Sequence, residues 1–201
     1  SSDVCSSDLP NMLTKIYRLN ANFLIFLQGL LVFILVFEDK IQLPFAWIGR
    51  LHPMLLHLPI GFGVLLLFLF ILQKTLSSPD FKQIFRFVLH LTTSLTATTA
   101  VFGLFLSKEG GYDADLISFH QWAGIGVNVF YVAFLWWVER EGSTQKQWFY
   151  GACLGVLAFL VAGHGGGDLT HGEGYLLASE DVKGPKALTD ESNLYEAVIQ
   201  P

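Results

Sequence analysis

The pattern His-x-x-x-Gly-x-Gly-Val occurs twice in the chain, as His57-Leu-Pro-Ile-Gly61-Phe-Gly63-Val64 and as His120-Gln-Trp-Ala-Gly124-Ile-Gly126-Val127. Each copy stands near the start of a long apolar run. Residues four apart share a helix face, so Gly61 and Gly124 leave bare backbone one turn beyond each imidazole. A histidine placed in lipid is costly and needs a partner or a task. An imidazole beside bare backbone suits a flat metal cofactor such as haem, whose iron takes histidine as an axial ligand. Facing helices of a bundle commonly build such sites. His57 and His120 are therefore the expected pair of iron ligands. The competing account of either residue is a helix-packing histidine that hydrogen-bonds a neighbour, with glycines permitting close approach.

The other four histidines are weaker candidates. His52 precedes Pro53, which suits a first helical turn, so it could cap the span or ligate a second haem. Five positions before His57, it is expected to point to another face. His164 and His171 lie in Gly163-His-Gly-Gly-Gly-Asp168-Leu-Thr-His171-Gly-Glu173-Gly-Tyr175, which reads as a glycine-rich loop. That loop could fold over the bundle mouth, bind a metal weakly through His171, line a quinol site, or pair His164 with His52. His90 precedes a hydroxyl cluster, Thr92, Thr93, Ser94 and Thr96, and is expected to contact it. In the loop Ser107-Lys-Glu109-Gly-Gly-Tyr112-Asp113, the last three polar residues could hydrogen-bond a propionate or a quinone. The same loop also reads as a solvated acidic turn built on Gly110-Gly111.

Composition decides what must position these residues. The chain has 201 residues, is 52% hydrophobic and 14% charged, and has a mean hydropathy of +0.49. That excludes an ordinary soluble domain and points to an integral membrane protein. A net charge of -5 argues against nucleic acid as partner. Two cysteines without a Cys-x-x-Cys-His motif rule out covalent haem attachment to this stretch. Cys153 reads as a small core residue. Ser1–Leu9, which contains Cys5, resembles a translated sequencing linker and is set aside.

Five segments are long and apolar enough to span a bilayer, at roughly 20 residues each. They run from about Ala21 to Phe37, His52 to Leu72, Ile84 to Leu106, Ile117 to Val138 and Gln147 to Gly163, and a polar tail follows from His164. Lys15, Arg18, Lys74, Lys82, Arg86, Arg140 and Lys146 gather on the side of the N-terminus, here called side Y. The opposite side X carries Lys40, Arg50 and Lys108 beside Glu38, Asp39, Glu109, Asp113 and Asp115. The basic excess puts side Y in the cytoplasm of a bacterial inner membrane and the C-terminal tail in the periplasm. Tryptophans 47, 122, 136, 137 and 148 lie near span ends, as an interfacial aromatic belt does. All histidines but His90 fall on or near side X. Spans two and three form one hairpin and spans four and five a second, both opening with the same motif. The expected fold is all-α: a four-helix bundle made from a duplicated hairpin, with span one added outside.

With these residues in view, the chain resembles a family of bacterial predicted membrane proteins of unassigned function, the DUF2231 type. The stretches that carry the likeness are Leu51–Phe62 (LHPMLLHLPIGF), Leu106–Gly126 (LSKEGGYDADLISFHQWAGIG) and Ala162–Leu176 (AGHGGGDLTHGEGYL). In that family such a membrane domain often precedes a planctomycete-type cytochrome c domain. Residues 192–201 resemble the leader to such a domain. The resemblance implies residues 10–50 as an N-terminal helix and loop, 51–176 as the membrane domain and 177–201 as a periplasmic tail. Taken with the histidine pair, it supports the expectation of an electron-transfer module that holds b-type haem near the periplasmic face through His57 and His120 and serves a c-type cytochrome. Quinol oxidation remains an open possibility for the side-X loops. Two other function classes stay open: a haem-free anchor for a periplasmic protein, and a metal-binding or transport protein using the side-X histidines.

Overall fold

The computed structural model describes residues 4–37, 46–73, 78–140 and 142–176. Glu38, Asp39, Lys40 and Lys74, and the tail 177–201, lie outside the described residues. The elements among the described residues are all helices, in the order α1 (Val4–Val36), a short 3-10 helix (Ala46–Leu51), α2 (His52–Leu55), α3 (His57–Leu72), α4 (Ser78–Ser107), α5 (Ala114–Glu139) and α6 (Gln145–His171). Five stretches are long and apolar enough to cross a membrane, as expected: Met12–Val36, Trp47–Leu72, Pro79–Ser107, Ala114–Glu139 and Gln145–His171.

The helices start where the chain supplies partners for their free amides. Asp113 accepts from the Asp115 and Leu116 amides at 3.0 Å each and caps α5. Thr144 and Gln147 form a reciprocal capping box on α6. Gly110 and Gly111, with φ of 73° and 83°, make the left-handed turn between α4 and α5.

Helix α4 touches α3 and α5, and α6 touches α5 and α3, so these four close a ring. The expected pair of hairpins is thus the pair observed. Helix α1 lies outside the ring against α4. Leu24, Leu27, Leu31 and Ile34 form its buried stripe, while Phe23, Phe26 and Phe33 stay exposed to the surrounding apolar phase. The glycine-rich stretch after Gly163 is not the loop expected from sequence. It continues α6 to His171 because Gly165 and Gly166 lie against neighbouring side chains. A Cβ at Gly165 would stand 2.8 Å from Phe119, so the small residues permit helix contact rather than break the helix.

The two halves of the ring are filled differently. Toward side Y the core is aromatic, with Phe81, Phe85, Phe134 and Trp148 buried and Phe85 stacked on Trp148 at 5.0 Å. Near the middle, Tyr131 is fully buried between Gly63 and Gly155, where an added Cβ would fall 2.9 and 2.5 Å from its hydroxyl. Toward side X the facing residues are small, and the ring opens into a cavity. Most hydroxyls of α4 are satisfied locally: Thr92, Thr93, Thr96 and Thr98 each donate to a carbonyl four residues back, at 2.8 Å, whereas the buried Thr99 hydroxyl has no partner among the described residues.

Candidate functional site

His52 and His120 meet across the side-X end of the ring. Their ring centres are 6.0 Å apart and their planes stand at 82°. His52 is held by α4 and His120 by α6. His52 Nδ1 lies 2.9 Å from the Thr99 carbonyl oxygen, and His120 Nδ1 lies 3.0 Å from that of Ala162. A carbonyl can only accept, so Nδ1 is the donor in both rings. In each neutral imidazole Nε2 then keeps its lone pair, which is the ligating form of histidine. Each ring also lies on a glycine one turn beyond its carbonyl. A Cβ at Gly103 would stand 3.0 Å from His52, and one at Gly166 would stand 3.0 Å from His120.

The two environments repeat each other around an axis running between the rings. A cavity of about 520 Å³ opens beside the pair. Residues one, four and five positions after the histidines line it in matched couples: Pro53 with Gln121, Leu56 with Gly124, and His57 with Ile125. The following helices do the same, counted from Thr99 and Ala162. Ala100 matches Gly163, Gly103 matches Gly166, Leu104 matches Gly167, and Ser107 matches Thr170. A smaller cavity of about 90 Å³ shares both histidines and continues inward to Pro59, Thr96, Val127 and Phe159. The duplicated hairpin is therefore present in space, but in another register. His120 has His52 as its mate, not His57, and the mate of His57 is Ile125. The repeated sequence motif matched glycines that occupy unequal places.

The remaining sequence candidates divide accordingly. His57 is exposed and lines the larger cavity. It does so together with His52, although their spacing suggested different faces. Leu56, between α2 and α3, keeps helical dihedrals and its amide bonds the His52 carbonyl at 3.0 Å, so the cavity spans both faces of a continuous helix. Gly124 lines both cavities, while Gly61 lines neither. His164 lies outside the cavities with Nε2 3.5 Å from Asp168 Oδ2, which separates it from His52. His171 does line the larger cavity, with its ring stacked on Tyr175 at 4.3 Å. In the α4–α5 turn, Glu109 pairs with Arg50 at 3.0 Å and Asp113 caps α5, so only Tyr112 reaches the cavity. Among the described residues no three of His, Cys, Asp and Glu gather closely enough to hold a bare metal ion.

A second polar cluster lies toward side Y and was not apparent from sequence. The His90 ring bonds none of the hydroxyls in the run that follows it; only its carbonyl meets one, 3.0 Å from Ser94 Oγ. Instead its ring stacks on Tyr17 at 4.3 Å, its Nδ1 lies 2.9 Å from Asn20 Nδ2, and its Nε2 lies 3.4 Å from Glu139 Oε1. Ser94 donates to Asn20 Oδ1 at 2.5 Å, and Arg86 forms a two-pronged pair with Glu139. Further along, Gln28 and Asn128 exchange amide hydrogen bonds at 2.8 and 3.2 Å. These contacts tie α1 to α4 and α5. In an apolar surround such bonds fix helix register. Asn20 and Gln28, polar residues inside an apolar span, were the available sequence signal.

Comparison with protein-family models, curated proteins and solved structures found no match.

Proposed function

We propose that the side-X cavity binds a b-type haem with His52 and His120 as its axial ligands, and that the protein is a membrane electron-transfer module. One observation carries this reading: two imidazoles, each fixed through Nδ1 by a backbone carbonyl, face each other with ring centres 6.0 Å apart. Ligating nitrogens about 2 Å from a metal on opposite sides would hold ring centres roughly 6 Å apart. The cavities extend from the pair both toward side X and inward, and Gly124 and Gly163 line both of them. About 520 Å³ lies within the range of roughly 300–1,000 Å³ common for small-molecule and cofactor sites. A cofactor that brings its own four equatorial donors needs only two from the protein, and two are what this site offers.

When bound, haem supplies a one-electron iron couple. The residues of this chain supply the ligands, exclude water with Leu56, Ala100, Val127 and Phe159, and keep both axial positions occupied. That last point favours electron transfer over catalysis on the iron. The basic excess on side Y supports an inner-membrane location with the cavity at the periplasmic face. There it could exchange electrons with a periplasmic c-type cytochrome, as the resemblance to DUF2231-type proteins implies. A quinol could act as donor through the same mouth.

The test is a reduced-minus-oxidised visible spectrum of protein purified in detergent from a haem-producing bacterium. Sharp α and β bands, lost in His52→Ala and in His120→Ala but kept in His57→Ala, are expected. A featureless spectrum from folded protein refutes the haem reading and leaves the anchoring role. Loss in His57→Ala with retention in His52→Ala refutes the ligand assignment.

A further inference from the structure

The matched couples around the cavity leave three lining residues unmatched: Tyr112, Ile117 and His171. All three lie at the side-X end, in the turn before α5, its first turn, and the last residue of α6. Gln121 adds an amide where its mate Pro53 has none. Tyr112, Gln121 and His171 thus add hydrogen-bonding groups toward side X, while His57, the mate of Ile125, adds an imidazole further in. No hydrogen bond occupies the Tyr112 hydroxyl, the Gln121 amide or the His171 imidazole among the described residues. Further inward the lining is Leu56, Val127 and Phe159, with Gly124 and the Thr96 and Thr99 side chains beside them. The outer edge of an occupant therefore meets nitrogen and phenol donors, and its inner edge a mainly apolar wall.

Resting on the haem reading above, we propose that Tyr112, Gln121 and His171 hold the carboxylate edge of the tetrapyrrole. They thereby fix a single orientation, with the acidic edge toward side X. A two-fold site alone would accept the disc either way round; the unmatched donors remove that freedom. His171 is then a carboxylate partner rather than a metal ligand. Its stack on Tyr175 holds the ring in place.

The experiment compares binding of haem and of its dimethyl ester to the full chain, purified without haem in detergent. The unaltered protein is expected to bind haem about tenfold more tightly than the ester, the scale of one or two charge-assisted hydrogen bonds. The double variant Tyr112→Phe/His171→Leu is expected to lose most of that tenfold preference. It should bind the ester as the unaltered protein does, with an unchanged bis-imidazole spectrum. Equal affinity of the unaltered protein for haem and ester, with that spectrum present, overturns this proposal and leaves the haem reading intact. So does a double variant that weakens both ligands equally. Failure of both compounds to give a bis-imidazole spectrum overturns both.

Discussion

The near-repetition of the two histidine environments can be tested through the glycines beneath the rings. An alanine at Gly103 would put its methyl 3.0 Å from both His52 Cε1 and Nδ1. An alanine at Gly166 would stand 3.0 Å from His120 Cε1 and 3.4 Å from Nδ1. Ordinary contact lies nearer 3.5–4 Å, so each ring must move by a few tenths of an ångström or more. The ring moves away from the helix that carries both the glycine and the accepting carbonyl, along the direction that lengthens the Nδ1 bonds of 2.9 and 3.0 Å. Overpacking costs about 1–3 kcal/mol and a weakened hydrogen bond about 0.5–1 kcal/mol, so each variant should lose about 2 kcal/mol. For a chain of this size that corresponds to roughly 4–8 °C in Tm. Differential scanning fluorimetry in detergent would measure it. Gly124→Ala and Gly163→Ala are the controls, because an added Cβ there meets nothing within 4 Å. They should leave Tm within about 1 °C, allowing for the gain in helix propensity. If Gly103→Ala and Gly166→Ala differ by more than half of the larger shift, the two environments are not equivalent. If the controls fall as far as the test variants, glycine at these positions serves general helix packing and not the rings.

Three further outcomes follow from the same contacts. Asn20→Leu removes both the His90 and Ser94 bonds of α1 and should cost about 1–2 kcal/mol. Tm should fall and amide exchange in α1 should quicken, with any cavity-bound chromophore unaffected; a spectral change would contradict the separation of the two clusters. Arg86 and Glu139 are both partly exposed, at 39% and 29%, so a double-mutant cycle with glutamine at each should give a coupling of only about 1 kcal/mol. A coupling near zero would mean the pair is solvated as ordinary surface charge. For orientation, single cysteines placed as Glu173→Cys and Ser143→Cys in a Cys5→Ser/Cys153→Ser background should react oppositely with an impermeant thiol reagent. Glu173→Cys should label from outside intact spheroplasts, and Ser143→Cys only after lysis. The reverse pattern would invert the topology.

The number and placing of the spans were legible because they rest on a summed property. A run of about 20 apolar residues has few alternatives to a membrane helix, whatever its neighbours are. Clustering of histidines at side X was legible for a similar reason, since depth follows from position along a span. The glycine-rich stretch after Gly163 was not, because local propensity reads Gly-Gly-Gly as a loop. Contact with Phe119 and His120 is what makes small residues an asset there.

The pairing of histidines was decided by tertiary structure alone. Sequence matching aligned His57 with His120 through shared glycines, yet His52 is the ring that stands 6.0 Å from His120. What makes His52 and His120 equivalent is a carbonyl and a glycine on another helix, Thr99 with Gly103 and Ala162 with Gly166, distant in the chain. The same holds for His90, whose partners Tyr17, Asn20 and Glu139 come from two other helices. Hydropathy along one helix fixes how deep a residue lies, but not its azimuth relative to a neighbour. The sequence by itself determined an all-helical membrane protein of five spans with histidines gathered at one end. Which imidazoles face each other, and which polar groups fasten α1, depended on rotations of packed helices that no local pattern encodes.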